Sequence, residues 1–271
     1  MPSNAELLAI ALNVARRAGE VARQRRADGV EVAATKSSLV DIVTQADREA
    51  ENLIRSAISA ARPNDGFLGE ESGGGEGTSG LTWVVDPIDG TVNYFYGIPS
   101  YAVSVAVVEG DPDPLTWRTL AGAVVNPVNG EIYTASAGGG AHLNGERLRV
   151  KESTDLELAL VGTGFGYDAQ VREKQARILV ELIGKVRDVR RIGAASLDLC
   201  NVAAGRLDAY YERGLNPWDH AAGALIAREA GATVGGLGDA PASAALIVAA
   251  QPGLYAQLDP LIQAAFADWV L

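Results

Sequence analysis

The order of the apolar segments along the chain constrains the fold more than any other feature of the sequence. Two amphipathic helices come first: one begins with a capping box at Ser3 and Glu6 and ends near Gly29, and the other begins after Thr44 and stops at Pro63. Runs of β-branched and aromatic residues follow, bounded by Gly, Pro or Asn, as is typical of strands. They predict strands at 83–85, 101–108, 120–125 and around 132–133, with a Gly-rich loop at 73–80 before the first of them.

From residue 158 onward, predicted strands and helices alternate, a pattern that is typical of α/β layers. The predicted strands lie at 160–161, 186–189, 209–211 and 244–249, and the predicted helices at 169–183, 196–204, 216–231 and 254–266. No internal repeat and no linker-like segment separates the two halves of the chain. The sequence therefore predicts an α/β fold in which residues 1–271 form a single domain, with approximate subdomains 1–150 and 151–271 that share one core.

Composition excludes several classes of partner and of site. The chain has 34 acidic and 23 basic side chains and a net charge of −11, so it is predicted to bind neither nucleic acid nor an anionic membrane surface. It has no secretion signal and no apolar stretch long enough to cross a bilayer, which predicts a cytoplasmic protein. With Cys200 as the one cysteine and His142 and His220 as the two histidines, any metal must be held by carboxylates. Cys200 itself is expected to pack in the core.

The segment Asp86-Pro87-Ile88-Asp89 carries the strongest chemical signal. It follows the predicted strand 83–85 directly, and its proline is expected to end that strand. Two carboxylates so close together at a strand end need a counter-charge, because a buried unpaired charge costs several kcal/mol. Oxygen ligands select Mg²⁺, which completes its coordination with water and substrate phosphate. For this segment taken alone, a purely structural interpretation as a helix cap or an Asx turn stays open.

Two further acids occupy comparable positions. Glu70 follows another short apolar strand, and Asp219 lies in the first turn of a predicted helix. Taken singly, Glu70 could face water and Asp219 could simply complement the helix dipole. Together with the pair at 86 and 89, these acids could hold two or three Mg²⁺ ions.

Five segments, in order along nearly the whole chain, resemble the motifs of the inositol monophosphatase family. They are 36–38 leading into 41–47, Gly69-Glu70-Glu71-Ser72, 86–93, Gly193-Ala194-Ala195-Ser196, and Trp218-Asp219 continuing to Glu229-Ala230-Gly231. The resemblance implies a sugar-phosphatase fold of alternating αβαβα layers. It also implies a Mg²⁺-dependent phosphomonoesterase, with two or three ions per subunit, that forms a homodimer.

The same resemblance implies a role for each matching residue. The residues that resemble the family's metal ligands are Glu70, Asp86, Asp89, Asp219 and, through its carbonyl, Ile88. Asp47 and Thr91 resemble the catalytic pair that orients the attacking water, and Glu70 is the first candidate to replace either of them. Glu212 stands where inositol-type members have an acid that binds ring hydroxyls, although it could equally be an ordinary glutamate at a strand end. The other expected substrate contacts are Asp89, Gly90, Thr91, Gly193, Ala194, Ala195 and Asp219.

These assignments predict hydrolysis of inositol 1-phosphate or a similar small polyol phosphate, with some alternatives left open. The alternatives are a family phosphatase for histidinol phosphate, fructose 1,6-bisphosphate or adenosine bisphosphate, and a non-catalytic binding protein with the same fold. The Gly-aromatic stretch 162–167 resembles that of many bacterial members and favours no substrate. Lys36 either adds positive charge near the phosphate or is a solvated surface lysine, and His220 is assigned no role.

Overall fold

The helices follow the amphipathic pattern of the sequence closely. A computed structural model describes residues 2–30, 32–35, 42–152 and 155–267; Lys36 and the rest of the first motif up to residue 41 lie outside them. Within the described residues the helices are α1 Asn4–Asp28, α2 Gln45–Ala61, α3 Thr91–Tyr96, α4 Ala169–Ile183, α5 Ala195–Ala203, α6 Pro217–Glu229 and α7 Pro252–Ala267. None of the helices in this part of the chain is both long and apolar enough to cross a membrane.

The first two helices begin at the predicted caps. The backbone N–H of Ser3 donates to Oε2 of Glu6 at 2.7 Å, and the N–H of Glu6 donates to Oγ of Ser3 at 3.2 Å, which is the capping box expected for α1. At the start of α2, the N–H of Thr44 donates to Oδ2 of Asp47 at 2.8 Å. This cap fixes Asp47 in the first turn of α2, where it faces the interior.

The strands form two large sheets and one small pair. The strands are β1 Val32–Thr35, β2 Ile42–Thr44, β3 Gly66–Gly69, β4 Gly73–Gly75, β5 Leu81–Asp89, β6 Ala102–Glu109, β7 Arg118–Asn126, β8 Glu131–Ser136, β9 Gly140–Leu143, β10 Glu146–Arg147, β11 Leu160–Thr163, β12 Asp188–Arg190, β13 Ala209–Glu212, β14 Thr233–Gly235 and β15 Ile247–Ala250. An eight-stranded sheet has the order β10-β9-β8-β7-β6-β5-β3-β4, and a five-stranded sheet the order β12-β11-β13-β15-β14. The strand β3 pairs with β5 in parallel, whereas β5 pairs with β6 in an antiparallel manner.

Helices and sheets alternate in five layers. The helices α1 and α2 cover one face of the eight-stranded sheet, α5 and α6 fill the space between the two sheets, and α4 and α7 cover the outer face of the five-stranded sheet. In β5, Trp83 and Val85 pack against α1 and α2, whereas Val84 packs toward α5 and α6, because successive residues of a strand point to opposite faces. The αβαβα order that the resemblance implies is confirmed.

The structure corrects the sequence prediction at the residues that carry the chemistry. The strand predicted at 83–85 does not end at Asp86-Pro87 but continues to Asp89. The register with β6 passes from Asp86 opposite Ser104 to Asp89 opposite Ala102, so one extra residue bulges out of β5 between the two acids. Proline is tolerated at a bulge because no ladder hydrogen bond from its nitrogen is needed there.

Part of the predicted Gly-rich loop is also a strand. Residues 73–75 pair with residues 67–69 in an antiparallel manner, and only the rest of the segment 73–80 is a loop. A run of glycines has no side-chain alternation, so the period-two signal that identifies strands is missing from it. This pairing makes β3 and β4 a tight hairpin, and Glu70 lies in its turn.

Candidate active site

One cavity collects almost all the residues that the sequence marks as functional. It has a volume of about 380 Å³ and lies where β3 and β5 end and where α3, α5 and α6 begin. The predicted site residues that line it are Glu70, Asp86, Ile88, Asp89, Gly90, Thr91, Gly193, Ala194, Ala195, Glu212 and Asp219. Asp47 does not line the cavity itself but contacts Thr91, which does.

The end of β5 contributes Asp86 and Asp89 to the cavity wall. Oδ1 of Asp86 accepts a hydrogen bond from the backbone N–H of Ile88 at 3.0 Å, within the bulge. Asp89 accepts three hydrogen bonds from the start of α5: one from the N–H of Ala195 at 3.2 Å, and two from Ser196, from its N–H at 2.7 Å and its hydroxyl at 2.5 Å. Because the free N–H groups at a helix start carry partial positive charge, α5 offsets part of the charge on Asp89.

Asp219 and Glu70 reach the cavity from a helix start and from a turn. Oδ2 of Asp219 accepts a hydrogen bond from the N–H of Asn216 at 2.6 Å, in a capping box with Pro217 at the first helical position of α6. Asp219 therefore caps its helix and lines the cavity as well, so the two interpretations of this residue are compatible. Glu70, in the turn after β3, is half-buried.

Burial and mutual repulsion hold the pKa values of these acids above their usual range. Burial raises the pKa of Asp86 well above its ordinary value, and the charges of Glu70, Asp89 and Asp219 raise it further, as does a hydrogen bond between the Asp86 and Glu70 carboxyls. Burial and the charges of Glu70, Asp89 and Glu212 raise the pKa of Asp219, and the hydrogen bond from Asn216 opposes that rise. For Asp89, burial raises the pKa to about 6, and the hydrogen bonds from Ser196 oppose that rise. Burial and mutual repulsion therefore disfavour the charged forms of Asp86, Asp89 and Asp219.

The donor atoms at the site fit Mg²⁺ in chemical type and in charge. They are the carboxylates of Glu70, Asp86, Asp89 and Asp219 and the carbonyl oxygen of Ile88, which are the hard oxygen ligands that this ion prefers. Among the described residues, no three Asp, Glu, His or Cys side chains are grouped tightly enough to hold a metal ion as they stand. In this arrangement the acids are hydrogen-bonded to backbone N–H groups or to one another. A divalent cation would replace the shared proton and relieve the repulsion.

Asp47 and Thr91 meet beside the acids. Oδ2 of Asp47 accepts hydrogen bonds from the N–H and hydroxyl of Thr44, which leaves Oδ1 free to face Thr91. Oγ1 of Thr91 lies 3.3 Å from Oδ1 of Asp47 and 3.1 Å from the carbonyl oxygen of Ile88. Burial raises the pKa of Asp47 to about 7, the hydrogen bonds from Thr44 oppose that rise, and the charge of Glu70 adds to it. A carboxyl with a pKa near neutrality is suited to accept a proton at working pH.

Glu212, at the end of β13, lines another part of the cavity. Its Oε2 accepts a hydrogen bond from the hydroxyl of Tyr210 at 2.5 Å. Burial raises the pKa of Glu212 to about 7, and the Tyr210 hydrogen bond and the charge of Arg191 oppose that rise. Gly164 makes room for this carboxylate, because a Cβ at that position would lie 1.8 Å from Oε2 of Glu212.

Several residues that the sequence left without a role complete the cavity. Its wall also includes Phe165, Tyr167, Arg191 and Trp218. Gln175, buried on α4, joins two parts of the wall: its Oε1 accepts from the N–H of Gly166 at 2.9 Å, and its Nε2 donates to the carbonyl of Arg213 at 3.0 Å. The Gly-aromatic stretch 162–167 was the signal for Phe165 and Tyr167. Nothing marked Gln175, because its role depends on contacts made only in the folded chain.

His220 and Cys200 lie outside this cavity. His220 follows Asp219 but packs near Trp117, with the ring centroids 6.0 Å apart, and burial lowers its pKa to about 4. It is therefore neutral at pH 7 and adds no charge to the site. Cys200 is buried in the core between the two sheets, so its predicted packing role is confirmed.

Comparison with known proteins agrees with the motifs and the geometry. The chain matches the profile of the inositol monophosphatase family over residues 3–267. A relative from Mycobacterium bovis, named inositol-1-monophosphatase, is 46% identical over 284 aligned positions, which cover 96% of this chain and 94% of the relative. A relative from Pseudomonas aeruginosa, named Nus factor SuhB, is 44% identical over 237 positions, or 84% of each chain.

A solved structure is also closely similar. The structure of Mycobacterium tuberculosis SuhB matches with a TM-score of 0.82 at 45% sequence identity, covering 98% of each chain. The family match, the identity of these relatives and the shared fold all extend over nearly the whole chain. The protein therefore belongs to the inositol monophosphatase family and is a phosphatase.

Proposed function

We propose that the protein is a Mg²⁺-dependent phosphomonoesterase, with residues 1–271 as a single catalytic domain. Its proposed substrate is inositol 1-phosphate or a similar small polyol phosphate, which it hydrolyses to the free polyol and phosphate. The observation that carries this proposal is a single cavity lined by a group of carboxylates, a separate acid and a hydroxyl that contacts a buried carboxylate behind the cavity wall. These are Glu70, Asp86, Asp89 and Asp219; Glu212; and Thr91 with Asp47.

The acidic group is the proposed binding site for two or three Mg²⁺ ions. Glu70, Asp86, Asp89, Asp219 and the carbonyl of Ile88 would hold them. When bound, Mg²⁺ neutralises charge on the phosphate oxygens and lowers the pKa of the attacking water. The net negative charge of the acids, which raises their own pKa values, favours binding of a divalent cation.

Thr91 and Asp47 are the proposed residues that orient the attacking water. The single proton of the Thr91 hydroxyl is within reach of Oδ1 of Asp47, at 3.3 Å, and of the Ile88 carbonyl oxygen, at 3.1 Å. When Thr91 donates it to Asp47, the lone pairs of Oγ1 are left to accept a hydrogen bond from water. When the water attacks phosphorus, its proton passes through the Thr91 hydroxyl to the Asp47 carboxylate. The bond between phosphorus and the ester oxygen breaks, and the leaving alkoxide takes a proton from a solvent water molecule. Asp47 then releases its acquired proton to solvent, so that the number of protons is balanced over one turnover.

Glu212 is the proposed contact to the polyol. An ionised carboxylate accepts hydrogen bonds from hydroxyl groups, and Arg191 and Tyr210 favour that ionised form. The other proposed substrate contacts, Gly90, Gly193, Ala194 and Ala195, have small side chains or none, so they offer backbone groups. At Gly90 the φ angle is 90°, and a Cβ would lie 3.0 Å from the carbonyl oxygen of Ser100, so the chain requires glycine there.

The substrate and the partners beyond it stay predictions. Histidinol phosphate, fructose 1,6-bisphosphate and adenosine bisphosphate are alternative substrates within the family. The proposed homodimer, the cytoplasmic location and the absence of a nucleic-acid partner come from the sequence alone. The Pseudomonas aeruginosa relative, which is 44% identical, is named Nus factor SuhB. A further, non-catalytic role is therefore the second candidate function for this chain.

Initial rates of phosphate release test the proposed reaction directly. We expect turnover of inositol 1-phosphate with Mg²⁺, none in excess chelator, and recovery when Mg²⁺ is restored. The panel of substrates includes histidinol phosphate, fructose 1,6-bisphosphate and adenosine bisphosphate. Full activity in excess chelator would contradict the metal assignment, whereas a wide preference for one of the alternative substrates would contradict only the polyol assignment.

The variant Asp86→Asn tests the repulsion between the acids, through the melting temperature of the metal-free protein as a function of pH. Folding raises the pKa of Asp86 above its ordinary value of 3.8, so the folded protein binds the Asp86 proton more tightly than the unfolded chain does. The stability that this tighter proton binding contributes is complete at low pH, and it is lost as the pH rises through the pKa of the folded state. Asparagine cannot ionise. We therefore expect the variant to match or exceed the wild type at about pH 8, with the advantage disappearing near pH 4.

The exposed residue Asp239 supplies a matched control for this measurement, because Asp239→Asn makes the same chemical change on the surface. It should leave the pH dependence of the melting temperature unchanged. The amide oxygen of asparagine can still accept the N–H of Ile88, so that hydrogen bond does not depend on the charge. If Asp86→Asn instead lowers the melting temperature at every pH, repulsion at Asp86 does not limit the stability of the metal-free protein.

The variants Thr91→Ala and Asp47→Asn test the water-orienting pair. Each should lower kcat by about 100-fold or more, because a positioned proton acceptor is lost in the transition state. Binding of Mg²⁺, measured by titration calorimetry, should persist in both. The exposed Thr78 gives a control, since Thr78→Ala should leave kcat unchanged. A near-normal kcat with a raised KM would show that the residue is a binding contact, and Glu70 would then be examined as the proton acceptor.

The variants Glu212→Ala and Gly164→Ala test recognition of the polyol. Glu212→Ala should cost about 1.5–3 kcal/mol in kcat/KM for inositol 1-phosphate, the range for hydrogen bonds to a charged group. Gly164→Ala should act in the same direction, because its Cβ displaces the Glu212 carboxylate. A hydroxyl-poor aryl phosphate, used as the control substrate, should be hydrolysed almost normally by both. Equal losses on both substrates would mean that Glu212 supports the site structurally.

A further inference from the structure

One face of α2 presents three charged side chains to the region around the cavity. Asp47, Glu51 and Arg55 are spaced four residues apart, so they lie one above another along the helix. The proposed reaction uses Asp47 and gives no role to the other two. Glu51 nevertheless has only 2% of its surface exposed, which is unusual for a glutamate and requires compensating hydrogen bonds.

Glu51 finds these bonds in the turn that carries Glu70. Its Oε2 accepts the N–H of Glu71 at 2.8 Å, and its Oε1 accepts both the N–H of Ser72 at 2.9 Å and the Ser72 hydroxyl. The two backbone N–H groups that directly follow Glu70 therefore bind one buried carboxylate. Three hydrogen bonds from two successive residues to one buried side chain fix the backbone of the turn.

The neighbours of Glu51 complete the attachment of the turn to α2. A Cβ at Gly69 would lie 2.5 Å from Oε2 of Glu51, so the glycine before Glu70 leaves the space that the carboxylate occupies. On the other side, Nη2 of Arg55 donates to the Ser72 hydroxyl oxygen at 2.5 Å and to the carbonyl of Gly73 at 3.2 Å. The turn is thus held to α2 on both sides of Ser72.

We propose that Glu51 is a positioning residue that holds Glu70 in place for cation binding. The proposal rests on the proposed function in one respect, namely that Glu70 is a ligand of Mg²⁺. Glu70 is half-buried in the turn between β3 and β4, and the two residues that directly follow it are the ones whose N–H groups bind Glu51. Without these hydrogen bonds the turn could shift and move Glu70 away from the other proposed ligands, which would weaken cation binding.

The position of Glu51 on α2 has a second consequence. The same helix face carries Asp47, which contacts Thr91. A single rigid helix therefore sets the separation between the water-orienting pair and the turn that carries Glu70. The helix is held by its own backbone hydrogen bonds and by its apolar face in the core. The Asp47 side and the Glu51 side of the helix therefore cannot shift independently of each other.

The variant Glu51→Gln tests the proposal in the full-length protein. A glutamine has one acceptor oxygen, so its side-chain NH₂ group would face a backbone N–H of the turn with no bond possible. We expect the affinity for Mg²⁺ alone, measured by titration calorimetry without substrate, to fall by about 10-fold or more, the range for residues that orient metal ligands. At saturating Mg²⁺, kcat should recover to within a few-fold of the wild type, because Glu51 does not touch the substrate.

Two matched variants separate a failure of this inference from a failure of the proposed function. Glu49→Gln makes the same change on the same helix, where Glu49 pairs with Arg25 of α1 at 2.6 Å, and should bind Mg²⁺ as the wild type does. Glu70→Gln should weaken binding. If it does not, the proposed ligand set is wrong. If Glu70→Gln weakens binding while a folded Glu51→Gln binds normally, the positioning role is wrong.

Two milder variants keep the test decisive if Glu51→Gln does not fold. Ser72→Ala removes one of the three donors to Glu51 and should weaken Mg²⁺ binding by a smaller factor. Glu51→Asp keeps the carboxylate but shortens the side chain, so it should bind Mg²⁺ more weakly than the wild type. If Glu51→Gln also folds, Glu51→Asp should bind Mg²⁺ more tightly than Glu51→Gln does. Normal affinity in both Ser72→Ala and Glu51→Asp would overturn the proposal.

Discussion

The burial of several carboxylates at one place between the layers is the constraint on which the rest of the site depends. Each acid is tolerated there because the backbone supplies hydrogen-bond donors to it. Asp89 receives the N–H groups at the start of α5, Asp219 the N–H of Asn216 at the start of α6, and Asp86 the N–H of Ile88 in the bulge of β5. The layered fold makes this possible, because helix starts and the ends of β3 and β5 meet at the same point.

These hydrogen bonds compensate the acids only in part. Asp86 and Asp219 keep pKa values well above the ordinary value after the backbone donors are taken into account, and burial is the largest cause. Partial compensation suits a binding site for a cation. Full neutralisation by buried arginines would remove the attraction for Mg²⁺, whereas no compensation at all would destabilise the folded chain. Backbone N–H groups are an intermediate solution, because they carry partial charge and no counter-ion.

Local patterns in the sequence predicted most of the helices and strands and marked the acids that line the cavity, whereas the αβαβα layer order followed from the family resemblance. Helix caps at Ser3 and Thr44 and the motif around Asp86 each lie within a few residues. Errors fell where local pattern and pairing conflict: β5 continues past Pro87 through a bulge, and the glycine run at 73–75 pairs as a strand. The supporting residues Glu51 and Gln175 escaped prediction because their partners are distant in the chain.

The difference between short motifs and contacts among distant residues also explains why the motifs indicate the reaction more readily than the substrate. The acids are held by the central layers, through β5, α2, α5 and α6, whose packing depends on the whole core. The Glu212 region is bounded differently, by the loop that contains Gly164 and Phe165 and by the segment that follows β13, and Gln175 joins these two by single hydrogen bonds. If Glu212 contacts the polyol as proposed, substrate choice depends on the contacts of Gly164, Arg191 and Glu212, in a part of the cavity wall that is built from other segments than the acids.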